Sequence, residues 1–180
     1  NATATGTDIT CNGANDGVIN ITNVSGGYGM YQYTINGGTT WSGSGWFTGL
    51  GPGTYNVRIR DAANPACFLI INPALVINEP AALNATVVKT DITCFGAGDG
   101  AIIISSPTGG YGSYEFTING GGSWQSSGTF TGLGPGNYNV QMRDAAHPGC
   151  IRVLVASLPV TQPAMLNAMV TYSMVTCNGA

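Results

Sequence analysis

Short runs in which Val, Ile, Thr and Tyr alternate with polar residues make up most of this chain, and clusters of Gly, Pro, Asn and Asp interrupt them every ten residues or so. No stretch keeps the 3.6-residue period of an amphipathic helix, so the pattern predicts an all-β protein. Seven strands are expected between residues 84 and 166: Ala85 to Thr93, Ala101 to Ser106, Ser113 to Asn119, Ser123 to Ser126, Thr129 to Thr131, Tyr138 to Arg143 and Ile151 to Leu158.

Two turn signals sharpen the pattern. Asn36-Gly37 and Asn119-Gly120 follow strand-like runs, where Asn-Gly suits the left-handed dihedrals of a tight hairpin between the third and fourth strands. Leu50-Gly51-Pro52-Gly53-Thr54-Tyr55 and its echo Leu133 to Tyr138 read as tyrosine corners, in which the hydroxyls of Tyr55 and Tyr138 bond to backbone. Seven short strands with such a corner suit an immunoglobulin-like β-sandwich of the fibronectin or polycystic-kidney-disease type.

The pattern also repeats. Thr7-Asp8-Ile9-Thr10-Cys11 returns as Thr90-Asp91-Ile92-Thr93-Cys94, a period of 94 − 11 = 83 residues, and Val175-Thr176-Cys177 opens it a third time. Sliding residues 1–83 onto 84–166 leaves about 47 identical pairs, Trp41 with Trp124 and Cys67 with Cys150 among them. Two modules are therefore expected, 1–83 and 84–166, with 167–180 as the first strand of a truncated third and the chain as one window on a longer array. Glu79-Pro80-Ala81-Ala82-Leu83 and Gln162-Pro163-Ala164-Met165-Leu166 are the short joints, and their prolines leave little slack.

Composition narrows the function. With 7% charged residues, and 5 Lys+Arg against 8 Asp+Glu, the chain has no basic surface for nucleic acid. Apolar stretches such as Phe68 to Ile71 and Ile151 to Ala156 fall far short of the roughly 20 residues of a membrane helix. No signal peptide is visible at the start, as expected of a mature or internal segment.

The 5 cysteines are two per copy plus Cys177, and none forms a CxxC pair of the zinc or redox kind. A two-cysteine pattern repeated in a low-charge β module points to disulfides outside the reducing cytosol, against the alternative of small buried thiols filling a core. Two connectivities stand open. Cys11 with Cys67 and Cys94 with Cys150 would each close a separation of 67 − 11 = 56 residues, a contribution of roughly 4 kcal/mol on chain-entropy grounds. Strand parity supports the other, because the first turn and the last hairpin of a sandwich lie at opposite ends, so that Cys11 would meet Cys150 across the junction. That staple leaves Cys67, Cys94 and Cys177 for neighbouring copies. With Lys89 the only lysine, a Lys-to-Asn isopeptide staple repeated in each module is ruled out.

These residues together resemble the gliding-adhesin (SprB-type) repeat of Bacteroidetes surface proteins. The likeness rests on Cys94-Phe95-Gly96-Ala97-Gly98-Asp99-Gly100 before an Ile-rich strand, then Gly109-Gly110-Tyr111-Gly112-Ser113-Tyr114, Leu133 to Tyr138, and Arg143-Asp144 ahead of Gly149-Cys150. The turn Ala62-Ala63-Asn64-Pro65-Ala66-Cys67 departs from it, replacing the usual Asn-Gly before Cys with a longer link. The resemblance implies long secreted cell-surface proteins of tandem sandwiches, serving adhesion, gliding motility or surface filaments and commonly exported by the type IX route.

Candidate chemistry is sparse. His147, the only histidine, corresponds to Asn64 in a turn and is not expected to be catalytic. Calcium is the cofactor to weigh, with Asp8, Asp16, Asp91 and Asp99 as candidates around a carbonyl-rich loop, although Ala14 and Ala97 stand where an EF-hand needs an oxygen. Turn formation explains those aspartates better. Trp41, Trp46 and Trp124 are candidates for stacking on a polysaccharide or a partner, with Trp46 the ring expected to be exposed, whereas Tyr31 and Tyr33 share a strand face and suit a core. Asn20, Asn23 and Asn84 fit the glycosylation sequon and read here as strand polarity. The expected function is non-catalytic: a structural or adhesive module of an extracellular cell-surface filament, whose partners are further copies of the same repeat. A glycan-binding module and an accessory segment of a secreted enzyme are the alternatives.

Overall fold

The structure, a computed structural model, describes residues 1–173 and contains only strands, turns and loops among them. In the first copy β1 (Thr3–Thr7), β2 (Gly17–Thr22) and β4 (Trp46–Leu50) form an antiparallel sheet in the order β1-β2-β4. A second antiparallel sheet orders β3 (Tyr31–Thr34), β5 (Gly53–Asp61) and β6 (Phe68–Ile77) as β3-β5-β6. The second copy repeats both, with β7 (Asn84–Thr90), β8 (Gly100–Thr108) and β10 (Thr129–Leu133) in one sheet, and β9 (Tyr114–Thr117), β11 (Gly136–Asp144) and β12 (Ile151–Val160) in the other.

Alternation explains which face each strand buries. Ile19 and Ile21 of β2 point inward around Asn20, and Val57 and Ile59 of β5 do so around Arg58. Ile9, Ile19 and Ile21 meet Val57, Leu75 and Ile77 in one core, so the two sheets of the first copy pack face to face. Ile92, Ile102, Ile104, Phe116, Val140, Met142 and Val160 do the same in the second. Each fully buried aliphatic side chain contributes roughly 1.5–3 kcal/mol. Leu83, at the end of the joint, belongs to the second core rather than the first.

Each copy has six strands where seven were expected. Residues 123–126 contribute only an isolated bridge, Phe116 to Gln125, and Tyr33 to Ser42 is its counterpart. The Asn-Gly turns account for the difference. Gly37 (φ 71°) and Gly38 (φ 101°), rather than Asn36, adopt left-handed dihedrals, and the Asn36 side-chain oxygen accepts the Thr40 N–H at 3.0 Å. Gly37 N–H donates across to Asn56 of β5 at 2.9 Å. The turn thus spreads over several residues and leans on β5, leaving no register for a regular two-residue hairpin. The hydroxyls of Tyr55 and Tyr138 donate to the carbonyls of Gly51 and Gly134 at 2.8 and 2.9 Å, pinning the start of β5 and β11. Residues 167–173 carry the β1 pattern but form no strand, and 174–180, with Cys177, lie outside the described residues.

Candidate functional site at the junction of the copies

The turn after β1 is built from its own polar groups. Asp16 accepts the Thr10 N–H at 3.0 Å and the Thr10 hydroxyl, and Ala14 N–H donates to the Cys11 carbonyl at 3.0 Å, so Cys11 sits at the tip. The same turn holds the joint that follows β6. Asp8 accepts the Asn78 N–H at 2.8 Å, Gly13 N–H donates to Glu79 at 2.9 Å, and the Asn12 amide donates to the Pro80 carbonyl at 3.1 Å. Turn and joint therefore project from the first copy as one plug.

The second copy supplies a matching socket. Alternation in β11 places Val140, Met142 and Asp144 on the buried face, so the carboxylate ends a row of core residues. One oxygen of Asp144 accepts the N–H groups of Ala146 and His147 at 2.9 and 3.1 Å, and the other accepts that of Tyr111 at 2.5 Å. It ties the Gly109–Tyr111 loop to the turn that ends in Cys150, whose N–H donates to the His147 carbonyl at 2.8 Å. The Tyr111 ring stacks on His147 with centroids 4.0 Å apart.

Plug and socket meet at a disulfide. Cys11 bonds Cys150 with Cα atoms 5.3 Å apart at a sequence separation of 139. Gly110 N–H donates to the Ala81 carbonyl at 2.9 Å. Gly109 lies so close to the Ala82 carbonyl that a Cβ there would overlap it. Leu83, 8% exposed, inserts into the second core, and the Tyr111 hydroxyl stands 3.5 Å from the Ile9 carbonyl.

Charge in the site is held by hydrogen bonds. The Thr10 hydroxyl and then the Thr10 N–H hold Asp16 below the ordinary carboxylate value of 3.8, and Thr93 does the same for Asp99. The Tyr28 N–H lowers Asp61, and Lys89, bonding at 2.8 Å, lowers Asp91. A depressed folded-state value means stability that is complete above the unfolded value near 3.8 and is lost as pH falls through the folded values. The melting temperature is accordingly expected to stay level from pH 7 to about 5 and to drop below about pH 4. Calorimetry across that range checks it, and a level profile down to pH 2 would remove these aspartates as the supports of the turns.

Of the two pairings open in the sequence, the structure contains Cys11–Cys150. Cys67 and Cys94 are exposed and unbonded among the described residues. Asp16 and Asp99 close turns, while Asp8 and Asp91 cap the ends of β6 and β12, so their carboxylates are committed to backbone N–H groups. Among the described residues no group of three or more His, Cys, Asp or Glu side chains converges for a metal. Trp41 and Trp124 each turn one ring face to an arginine, Arg60 at 4.2 Å and Arg143 at 4.5 Å, and Arg143 also pairs with Glu115 at 2.7 Å. Trp46 is 57% exposed. The residues missed in the sequence are Asp61 and Asp144. Their signal was present, since Val57-Arg58-Ile59-Arg60-Asp61 and Val140-Gln141-Met142-Arg143-Asp144 put the carboxylate in phase with the buried face.

The fold and this joint define a tandem β-sandwich repeat protein whose copies are stapled end to end. Residues 3–40 and 86–123 each match the family model of the SprB repeat, at corresponding positions of the two copies. The matched segments include Cys11 and Cys94, while Cys67 and Cys150 lie beyond them. No curated protein matches the chain. No helix among the described residues is long and apolar enough to cross a membrane.

Proposed function

We propose that this chain is part of the shaft of a secreted cell-surface filament or adhesin, with units 1–83 and 84–166 acting through length and stiffness rather than catalysis. The observation that carries the reading is the Cys11–Cys150 bond. Tension applied along the chain runs from Cys11 to Cys150 through sulfur and bypasses residues 12–149, so most of both cores is shielded from it, and only β1 with Ile9 at one side and β12 with Val160 at the other stay in the line of force. The buried Leu83 peg keeps the same joint from swivelling. A disulfide in that role suits an oxidising extracellular setting, and the SprB repeat supports a cell-surface assignment. The polysaccharide reading rests on Trp46 alone, because Arg60 and Arg143 cover one face of the other two indoles.

Single-molecule stretching by the two termini tests the reading. The oxidised chain is expected to extend only through the segments outside the bond, and reduction is expected to release the 139-residue separation, roughly 500 Å of extra contour at about 3.5 Å per residue. Equal extension before and after reduction would sink it.

A further inference from the structure

The two copies differ in charge on the outer face of the β3-β5-β6 sheet and of its counterpart, β9-β11-β12. Alternation in β5 buries Val57, Ile59 and Asp61 and turns Arg58 and Arg60 outward. Cross-strand register then sets Gln32, Arg60 and Phe68 in one row and Thr34, Arg58 and Ile70 in the next. The second copy has Glu115, Arg143 and Ile151, then Thr117, Gln141 and Val153, in the same places. Its rows are neutral overall, because Arg143 pairs with Glu115 at 2.7 Å. The first copy has Gln32 in place of that carboxylate and Arg58 in place of Gln141, so its rows carry two positive charges and no negative one.

Neutral groups hold both guanidiniums in place. Arg60 lies over the Trp41 ring at 4.2 Å and donates from Nε to the Gln32 side chain at 2.8 Å. Arg58 lies 5.7 Å from the Phe68 ring centre and donates from Nε to the Asn56 side chain at 2.9 Å. Among the described residues neither arginine pairs with a carboxylate, and these bonds use Nε and leave the terminal nitrogens to a ligand. The joint between copies does not cover this face. Ile151 and Val153 lie on it beside the filled internal joint and are still 52% and 47% exposed, against 55% and 46% for Phe68 and Ile70. The face therefore stays open along an array, wherever a copy stands in it.

We propose that this face of the first copy binds an acidic polysaccharide, a polymer of sugars bearing uronate carboxylates, through Arg58 and Arg60. The second copy shows the chemistry within the same fold: Arg143 lies over Trp124 at 4.5 Å and binds the Glu115 carboxylate at the same time. A guanidinium stacked on a ring keeps its N–H donors in its own plane, free for a carboxylate. In the first copy Gln32 takes the Nε side of Arg60, and the ligand's carboxylate takes the Nη side. The two arginines are two residues apart on one strand face, about 7 Å, which suits charge repeated along a polymer better than a single anion. A sheet face offers side chains and no unpaired backbone groups, so it cannot add a peptide as a further strand. Phe68 supplies an exposed ring for the C–H face of a sugar. The grip is charge rather than stacking on a bare indole, because Trp41 gives a ring face to Arg60. With a net charge of −3, the chain as a whole repels a polyanion, so binding is local to this face and sensitive to salt. The site does not rest on the shaft reading.

The test is calorimetric titration of the 180-residue chain with sodium polygalacturonate, with the methyl-esterified polymer and poly-L-glutamate as comparisons. Polygalacturonate is expected to bind, the ester is not, and about 0.5 M salt should weaken the binding roughly tenfold. Arg58→Gln, which copies Gln141, and Arg60→Gln should each weaken it at least fivefold. Gln32→Glu, which copies Glu115, should do the same by neutralising Arg60 from within the chain, and its melt should match the parent's because the second copy already carries that pair. Absence of binding, binding indifferent to Arg58→Gln and Gln32→Glu, or equal binding of poly-L-glutamate would overturn the proposal. The titration applies no load, so its failure leaves the Cys11–Cys150 shaft reading standing, and failure of the stretching experiment leaves this site standing.

Discussion

Replacing Cys11 with serine is expected to lower the melting temperature by about 10–20 °C, from a chain-entropy contribution of roughly 5 kcal/mol at about 2–4 °C per kcal/mol for a protein of this size. The contribution is large because the bond closes a 139-residue separation and so removes many conformations from the unfolded chain. It also joins two cores, so the oxidised chain should melt in one transition and Cys11→Ser in two. Cys94→Ser is the matched control: its thiol is exposed and unbonded, and its melt should coincide with that of the parent. Scanning calorimetry on the three chains decides the matter. A Cys11→Ser melt within 2 °C of the parent would mean that the bond does not clamp the folded pair.

The second large effect is expected at Leu83. Truncation to alanine removes a side chain buried in the second core and leaves a cavity under Gly110, a loss of about 2–5 kcal/mol. Leu166→Ala, the same change at the equivalent position of the next joint, should cost less than about 0.5 kcal/mol because the side chain is in water. The contrast separates the local propensity of a Pro-Ala-rich joint from its docking. Urea unfolding followed by tryptophan fluorescence reads it. Equal effects at both positions would show that Leu83 does not act as a peg between copies.

Much of the architecture was written in local pattern. Period-two alternation in Val18-Ile19-Asn20-Ile21 places Ile19 and Ile21 on one face whatever the strand pairs with, which is why the strands and their buried residues were legible. Tyr55 follows its Gly-Pro-Gly turn closely enough for the hydroxyl to reach back, and that too is local. The fourth strand does not form because the Asn36-Gly37 turn is not set by its two residues alone. Its geometry depends on Asn56, twenty residues away in sequence and adjacent in space.

The same division runs through the joint. By itself the sequence determined the all-β class and the turns that present Cys11 and Cys94, because each depends on residues within a few positions of one another, and comparison of one copy with the next gave the 83-residue repeat and a short list of possible disulfides. Tertiary structure alone decided that Cys11 bonds Cys150, that Leu83 belongs to the second core, that Asp144 joins two loops, and that Trp41 and Trp124 lie against arginines. Those contacts link residues far apart in the chain. Which of the possible partners meet is set by how the sheets pack and where strand parity leaves each end, and no short stretch of sequence encodes that.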